Sequence, residues 1–196
     1  IFSGCGLVNE KSLLQLPKDA LLFYYSAAGS SNAISEGKEF VQKLAYSLDG
    51  GEHLHKSERI ILQTICKENR DPKIFWHEDT NAYIMCIWLE GFEFAILRST
   101  DLENWKISQR FTLNQGFECP DLFPLQTKEG ILKWVFWCAD GYYFLGEFDV
   151  FRFETDGIRK EAYASKVPYA AQTISNVTNR RISVPWLRTK CFESRY

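Results

Sequence analysis

Two acidic residues beside prolines are the first candidates for chemistry in this chain. Asp71 directly precedes Pro72, and Glu118 lies two residues before Pro120, so the two prolines are 48 residues apart. Both segments read polar residue, short residue, proline, polar residue, aliphatic residue, Phe. A pair of carboxyl groups can divide general acid and general base catalysis between them, provided that the fold brings them together.

The spacing of these segments predicts the fold that would bring them together. Pro168 follows Pro120 by another 48 residues and opens a further strand-like segment, Tyr169 to Ser175. A repeat of about fifty residues in a chain built of strands is typical of a β-propeller, with one repeat per blade. Because equivalent strands converge on the propeller axis, we expect the acidic residues beside the prolines to meet there.

Short runs of β-branched and aromatic residues, separated by turn residues, predict an all-β fold. The predicted strands are Ala20 to Ser26, Phe40 to Ser47, Tyr83 to Leu89, Phe92 to Arg98, Leu132 to Cys138 and Tyr142 to Val150. Phe40 to Ser47 also fits one face of a helix, but the turn Asp49-Gly50-Gly51 after it favours a hairpin.

A second repeated feature helps to count the blades. Ser47-Leu48-Asp49 and Ser99-Thr100-Asp101 predict hairpins at equivalent places in successive blades, and Phe2 to Val8 predicts an earlier blade opening, with Gly29 to Glu39 as an insertion. The last opening is followed by only about 28 residues. We therefore expect three blades and part of a fourth, with open sheet edges that invite homodimerisation or association with further strands.

Composition excludes several classes of partner and cofactor. The 196 residues include 23 basic and 25 acidic residues, a net charge of −2 that argues against nucleic acid and anionic membranes as partners. The longest apolar run is far shorter than the roughly 18 residues of a membrane span. Six scattered cysteines without C-x-x-C spacing predict buried free thiols, and no metal or cofactor is expected. The N-terminus gives no indication of localisation, which can be cytoplasmic or secreted.

Five segments, in order along nearly the whole chain, match motifs of one enzyme family. They are Phe2-Ser3-Gly4, Arg70-Asp71-Pro72 with Lys73-Ile74-Phe75-Trp76, Ser99-Thr100-Asp101-Leu102 with Trp105, Glu118-Cys119-Pro120-Asp121-Leu122-Phe123, and Tyr169-Ala170-Ala171-Gln172-Thr173. Together they resemble glycoside hydrolase family 32, the invertases, levanases and inulinases, which are five-bladed propeller β-fructofuranosidases. The resemblance implies that residues 1–196 form a partial catalytic propeller domain without the family's C-terminal β-sandwich.

The resemblance also implies roles for the two acidic residues. Glu118 would be the general acid and base, and Asp71 would hold hydroxyls of the fructosyl ring and stabilise the transition state. Cleavage through an oxocarbenium-like state needs a protonated acid, for which Phe117 and Phe123 can supply apolar walls. Asp71 should stay ionised instead, and Arg70 beside it favours that form.

The predicted substrate-binding residues are Arg70, Phe2, Ser3, Trp76 and Cys119, with Trp76 as a sugar-stacking platform. The implied reaction is retaining hydrolysis of terminal fructosyl bonds in sucrose, levan or inulin, so the implied partner is a fructose-containing oligosaccharide or polysaccharide. Two alternatives stay open. One is a propeller that binds fructosides without turnover, and the other is a related five-bladed glycosidase acting on arabinose-containing glycans.

Retaining hydrolysis also needs a carboxylate nucleophile about 5 Å from the acid. The family supplies it from a Trp-Met-Asn-Asp-Pro-Asn-Gly motif upstream of Phe-Ser-Gly, and this sequence contains no such motif. We predict that the 196-residue chain alone releases no measurable fructose from sucrose or inulin in a reducing-sugar assay. Robust turnover that Glu118→Gln abolishes would show that a nucleophile within the chain has been missed.

Overall fold

The strands of this protein group into four antiparallel sheets in a computed structural model that describes residues 1–177 and 180–188. The first sheet has the order β1 (Phe2–Val8), β2 (Leu21–Ala27), β3 (Val41–Ser47), β4 (His55–Leu62), and the second has the order β5 (Arg70–His77), β6 (Ala82–Trp88), β7 (Glu93–Ser99), β8 (Lys106–Thr112). The third sheet contains β9 (Asp121–Gln126), β10 (Leu132–Trp137), β11 (Tyr142–Phe148) and β12 (Phe153–Thr155), with β13 (Lys160–Glu161) also on β11. The fourth pairs β14 (Pro168–Val177) with β15 (Arg180–Leu187).

Strand order in each sheet follows the chain, as in the blades of a propeller. The all-β prediction, the segment Phe40 to Ser47 as a strand, and the count of three blades and part of a fourth are confirmed. The only helices among the described residues are two 3₁₀ turns, Ala33–Ser35 in the predicted insertion and Glu78–Thr80 after β5. Neither turn is long enough to cross a membrane.

The hydrophobic core lies between the blades, and β6 shows why. Every residue of β6 is buried, which explains its unbroken apolar sequence. On one face Met85 and Ile87 pack into the cluster shared with the first blade, while on the other Ile84 and Cys86 pack into the cluster shared with the third. Because side chains alternate across a strand, the second blade is held from both sides. A smaller cluster joins the third blade to β14.

The two predicted hairpins form the same turn. The Ser47 hydroxyl donates to Asp49 Oδ1 at 2.7 Å after β3, and the Ser99 hydroxyl donates to Asp101 Oδ1 at 2.9 Å after β7. Each turn follows the third strand of its blade, so the predicted equivalence of the two hairpins is confirmed.

The cysteines of the described residues are free thiols, as predicted. Cys86, Cys119 and Cys138 are buried, whereas Cys5 and Cys66 are half-buried. Cys191 lies outside the described residues.

Two glycines of β1 give a matched test of how closely the first two strands approach. A Cβ atom at Gly4 would lie 1.8 Å from the Tyr24 carbonyl oxygen, whereas at Gly6 it would lie 3.6 Å from the ring of Phe23. We expect Gly4→Ala to lower the free energy of unfolding by about 2 kcal/mol or more. Gly6→Ala should change it by less than about 1 kcal/mol. Urea denaturation measures both, and equal losses would contradict the close approach at Gly4.

Candidate active site

The blade openings share an unusual backbone conformation. The φ angle is 62° at Asp71, 46° at Glu118, 41° at Cys119 and 49° at Ala170. This left-handed region costs energy for residues other than glycine, so it persists only where the surrounding structure imposes it. The β5–β6 and β14–β15 ladders also shift register at these positions. Bulges of this kind re-aim side chains, here toward the place where the blades meet.

The third copy of the repeat is displaced from its predicted position. Asp71 and Cys119 each precede a proline and each has positive φ, whereas the residue with positive φ at the start of β14 is Ala170, 51 residues after Cys119 and not followed by a proline. Pro168 begins β14, as predicted, but it lies two residues before that position instead of one after it. The displaced alignment makes Arg70, Glu118 and Tyr169 equivalent residues of successive repeats.

Arg70 and Tyr169 both contact Glu118, the middle one of these three equivalent residues. Arg70 donates from Nη2 to Glu118 Oε1 at 2.5 Å and from Nε at 3.1 Å, while the Tyr169 hydroxyl donates to Glu118 Oε2. The Arg70 and Glu118 side chains are only 11% and 18% exposed, so water screens their ion pair weakly. Burial and the Glu118 carboxylate raise the pKa of Tyr169, so its hydroxyl keeps its proton for donation. Tyr169 was not predicted as a site residue, although it lies in a recognised motif.

Other residues fix the position of Arg70. Its Nη1 atom donates to Glu68 Oε2 at 3.1 Å, and its guanidinium lies 3.9 Å from the centroid of the Trp88 ring. Trp88 in turn packs edge-on against Phe117, with centroids 5.1 Å apart. A guanidinium clamped by a carboxylate and an aromatic face has little freedom to leave Glu118.

Asp71 reaches the same cluster through Cys119. Its Oδ2 atom accepts the Cys119 backbone N–H at 3.2 Å and faces the Cys119 thiol at 3.5 Å. Because Cys119 directly follows Glu118, these contacts bring the two candidate carboxylates of neighbouring blades together. The contact between Arg70 and Glu118 and the contact between Asp71 and Cys119 each join residues that are 48 positions apart, the same interval as that between the two prolines.

Arg70 favours the ionised form of Asp71, as expected, but burial outweighs its effect and the pKa of the carboxyl is raised. Asp71 is 4% exposed, and burial raises its pKa, with the Glu118 charge acting in the same direction. The Cys119 N–H and the more distant Arg70 oppose this rise without cancelling it. Arg70 has little effect because its guanidinium donates to Glu118 and Glu68 instead.

The apolar walls expected around Glu118 are present only in part. Phe117 packs on Trp88 beside the site. Phe123 belongs to the cluster between the third blade and β14, where its ring lies 4.0 Å from the guanidinium of Arg181. The hydrogen-bond partners of Glu118 are Arg70 and Tyr169, so its setting is more polar than the sequence indicated.

A buried polar chain from the first blade supports Asp71. The Asp71 backbone N–H donates to Ser26 Oγ at 2.9 Å, and the Ser26 hydroxyl donates to Gln42 Oε1 at 2.7 Å. Gln42 Nε2 donates to the Asn69 carbonyl at 2.9 Å. Ser26 Oγ also lies 3.4 Å from the Ser3 carbonyl oxygen. Sequence reasoning missed this chain, whose signal is one polar residue near an end of each strand, Ser26 in β2 and Gln42 in β3.

Of the remaining predicted substrate-binding residues, Trp76 lies away from the cluster, whereas Ser3 lies beside it, because the Ser3 side chain is hydrogen-bonded to Cys119. Phe2 is 43% exposed at the start of β1, and Ser3 beside it is also exposed. Trp76 lies five residues along β5 from Asp71, about 16 Å at the rise of a strand. Its ring is covered by Lys11, whose Nζ atom lies 3.7 Å from the centroid. The structure therefore does not bring Trp76 into this cluster, because the strand carries it away from the axis.

The sequence analysis also missed a second buried polar network, which is centred on Asp121. Asp121, 1% exposed, accepts the Thr173 hydroxyl and pairs with Lys73 at 3.2 Å and with Arg181 at 3.4 Å. Lys73 also donates to the Thr173 carbonyl at 2.7 Å. The Asp121 carboxylate, on β9, therefore links its own strand to β5, β14 and β15, which carry its three partners. The sequence signal of this network is a pair of opposite charges at equivalent places in the repeat: Lys73, two residues after Asp71, and Asp121, two residues after Cys119.

Residues 1–195 match the sequence profile described as the glycosyl hydrolases family 32 N-terminal domain. This chain belongs to glycoside hydrolase family 32, as the motifs indicated.

Individual relatives are similar over most of the chain. The extracellular exo-inulinase of Meyerozyma guilliermondii is 38% identical over 202 residues, which cover 90% of this chain and 37% of that protein. The invertase of Debaryomyces hansenii is 36% identical over 163 residues, covering 74% of this chain and 30% of that protein. The chain thus spans about a third of the length of these relatives.

Solved structures agree on the fold. The fructofuranosidase from Schwanniomyces occidentalis, complexed with fructose, superimposes with a TM-score of 0.82 at 27% identity, covering 95% of this chain and 40% of that one. The exo-inulinase from Aspergillus awamori, at 23% identity, covers 95% of this chain and 45% of that one with a TM-score of 0.79.

The raised pKa of Asp71 predicts a pH-dependent effect on stability. A carboxyl whose pKa is raised on folding binds its proton more tightly in the folded state than in the unfolded state. The free energy of unfolding therefore falls as the pH rises above the unfolded pKa, which is about 3.9 for Asp. Asp71→Asn, which imitates the protonated form, should therefore be more stable than the wild type at pH 7. The difference should vanish below about pH 4.

Thermal unfolding across pH 3 to 8 measures this difference, and Asp79→Asn, at an exposed position, is the control. An Asp71→Asn variant less stable than the wild type at pH 7 would show that the ionised carboxylate stabilises the fold.

Proposed function

We propose that this chain supplies two of the three carboxylates of a β-fructofuranosidase active site, Glu118 as general acid and base and Asp71 as the residue that holds the fructosyl unit. One observation carries the proposal: the Asp71 carboxylate and the residue after Glu118 are hydrogen-bonded across neighbouring blades. The relatives, named invertase, exo-inulinase and levanase, support fructose-containing substrates such as sucrose, inulin and levan.

The contacts of Glu118 suit a residue that gains and loses a proton. Protonated Glu118 transfers its proton to the glycosidic oxygen while the bond between that oxygen and the fructosyl anomeric carbon breaks, and that carbon bonds to the third carboxylate, the nucleophile, which water displaces in the second step. The carboxylate that remains accepts hydrogen bonds from Arg70 and Tyr169, which stabilise its charge between the two steps. In the second step the same carboxylate takes a proton from the attacking water.

The contacts of Asp71 suit a residue that grips a sugar. Cys119 occupies its Oδ2 atom, whereas Oδ1 has no hydrogen-bond donor within residues 1–177 and 180–188. Hydroxyl groups of a bound fructosyl unit would donate hydrogen bonds to Oδ1 and favour the ionised form of Asp71. The carboxylate then faces the positive charge that develops on the ring in the oxocarbenium-like transition state.

Binding of fructose to the 196-residue chain tests this assignment. Asp71→Asn should raise the dissociation constant for fructose about tenfold or more, because an ionised acceptor for sugar hydroxyls becomes neutral. Asp79→Asn, an exposed aspartate of the same blade, should leave it within twofold. Ligand-observed NMR titration measures both constants. An unchanged constant for Asp71→Asn contradicts the assignment, and tighter binding of arabinose than of fructose favours the arabinan-active alternative.

A further inference from the structure

Two polar side chains of the first blade are completely buried beside Asp71. Ser26 of β2 and Gln42 of β3 lie opposite each other in the sheet, and both are 0% exposed. Buried polar groups are costly unless they are hydrogen-bonded, whereas apolar side chains of the same size carry no such requirement. Packing alone therefore does not account for this pair.

The hydrogen bonds of this pair can run in only one direction. Gln42 faces the Asn69 carbonyl oxygen at 2.9 Å, which can only accept, so its Nε2 atom lies on that side and its Oε1 atom faces Ser26. The Ser26 hydroxyl therefore donates its one proton to Gln42, at 2.7 Å. The lone pairs of the Ser26 oxygen are left to accept the Asp71 backbone N–H, at 2.9 Å.

The N–H group at the end of this polar chain belongs to a residue in a strained conformation. Asp71 has a φ angle of 62°, and the β5–β6 ladder shifts register between Arg70 and Lys73. A residue other than glycine keeps this left-handed conformation only where its surroundings impose it. Pro72 has no N–H group to donate, so the hydrogen bond from Asp71 to Ser26 anchors the bend on the first blade.

We propose that Ser26 and Gln42 are positioning residues of the active site, which hold the backbone of Asp71 so that its carboxylate meets the fructosyl unit. The inference rests on the proposed function, in which Asp71 binds that unit. Both residues are fully buried, so they act through Asp71 without contacting the sugar. Residues that contact a ligand hold it well only when further hydrogen bonds behind them fix their own position.

Asp71 is thus held from two neighbouring blades. Ser26 of the first blade accepts its N–H, and Cys119, just before the third blade, donates to its Oδ2 atom at 3.2 Å. These two contacts are themselves connected, because Ser26 Oγ lies 3.4 Å from the Ser3 carbonyl oxygen and the Ser3 side chain is hydrogen-bonded to Cys119. Loss of the Ser26 hydroxyl therefore disturbs both contacts of Asp71.

Removal of that hydroxyl tests the proposal in the 196-residue chain. Ser26→Ala leaves the buried Asp71 N–H without its acceptor, so the peptide group must turn to find another. We expect the dissociation constant for fructose to rise about fivefold or more, because the carboxylate moves with the backbone. Ligand-observed NMR titration measures the constant. In a proton–nitrogen correlation spectrum of the protein, the amide proton of Asp71 should move upfield as its hydrogen bond is lost.

Ser99→Ala is the matched control. Ser99 is a buried serine of the second blade, 4% exposed, whose hydroxyl likewise donates to a side chain, Asp101, and accepts a backbone N–H. It pairs with Tyr83, which pairs with Trp76 near the far end of β5, so it is remote from Asp71. Both variants should lower the urea midpoint of unfolding. Ser99→Ala should nevertheless leave the constant for fructose within twofold and the Asp71 resonance unmoved.

Gln42→Met tests the other residue, and it replaces Ser26→Ala if circular dichroism shows that the alanine variant does not fold. Methionine keeps nearly the volume of glutamine, but its sulfur is only a weak acceptor, so the Ser26 hydroxyl loses the partner that orients it. The dissociation constant for fructose should rise about threefold, less than in Ser26→Ala, because the Ser26 oxygen can still accept the Asp71 N–H.

Each result has a distinct meaning. An unchanged constant or an unmoved Asp71 resonance in Ser26→Ala, or an equal rise in Ser99→Ala, overturns the positioning role. An unchanged constant in Gln42→Met overturns the part assigned to Gln42. The proposed function stands in all these cases as long as Asp71→Asn weakens fructose binding. A wild-type chain that does not bind fructose, or that binds it equally well after Asp71→Asn, overturns the proposed function and this inference with it.

Discussion

The buried carboxylate of Asp121 is the constraint on which the geometry of the site depends. At 1% exposure a carboxylate must be paired and hydrogen-bonded, because an isolated charge inside a protein is very costly. Its partners Lys73, Thr173 and Arg181 come from β5, β14 and β15. Only one relative placement of these strands satisfies all of them together. The buried charge therefore adds specificity to the apolar packing between the blades, which is itself tolerant of small shifts.

This constraint accounts for the arrangement above it. Residues at or just before the starts of these strands, Asp71, Cys119 and Ala170, adopt left-handed conformations. Glu118 then meets a cation and a phenol, whereas Asp71 meets a backbone N–H and a thiol. The two carboxyl groups are close in space yet differ in their partners. That difference is the basis of the proposed division of roles, in which Glu118 exchanges protons and Asp71 holds the sugar.

Much of the fold could be predicted because its signals are local. The alternation and composition of segments such as Tyr83 to Leu89 specify strands, and the spacing between Pro72 and Pro120 specifies the repeat. The raised pKa of Asp71 could not be predicted, because it depends on burial by residues distant in sequence. Adjacency in sequence also suggested that Arg70 would serve Asp71, yet the backbone turn at Asp71 directs the guanidinium to Glu118.

Arg70, Glu118 and Tyr169 hold one structural position in three successive repeats, and each carries a different functional group there. In β5 this position lies where the ladder shifts register, and before β9 it lies outside the ladder, so it contributes little to strand pairing. A duplicated blade can therefore change this residue while the pairing of its strands stays the same. In evolutionary terms, a repeat protein of this kind diversifies its chemistry one residue per copy, while the scaffold around that residue stays the same.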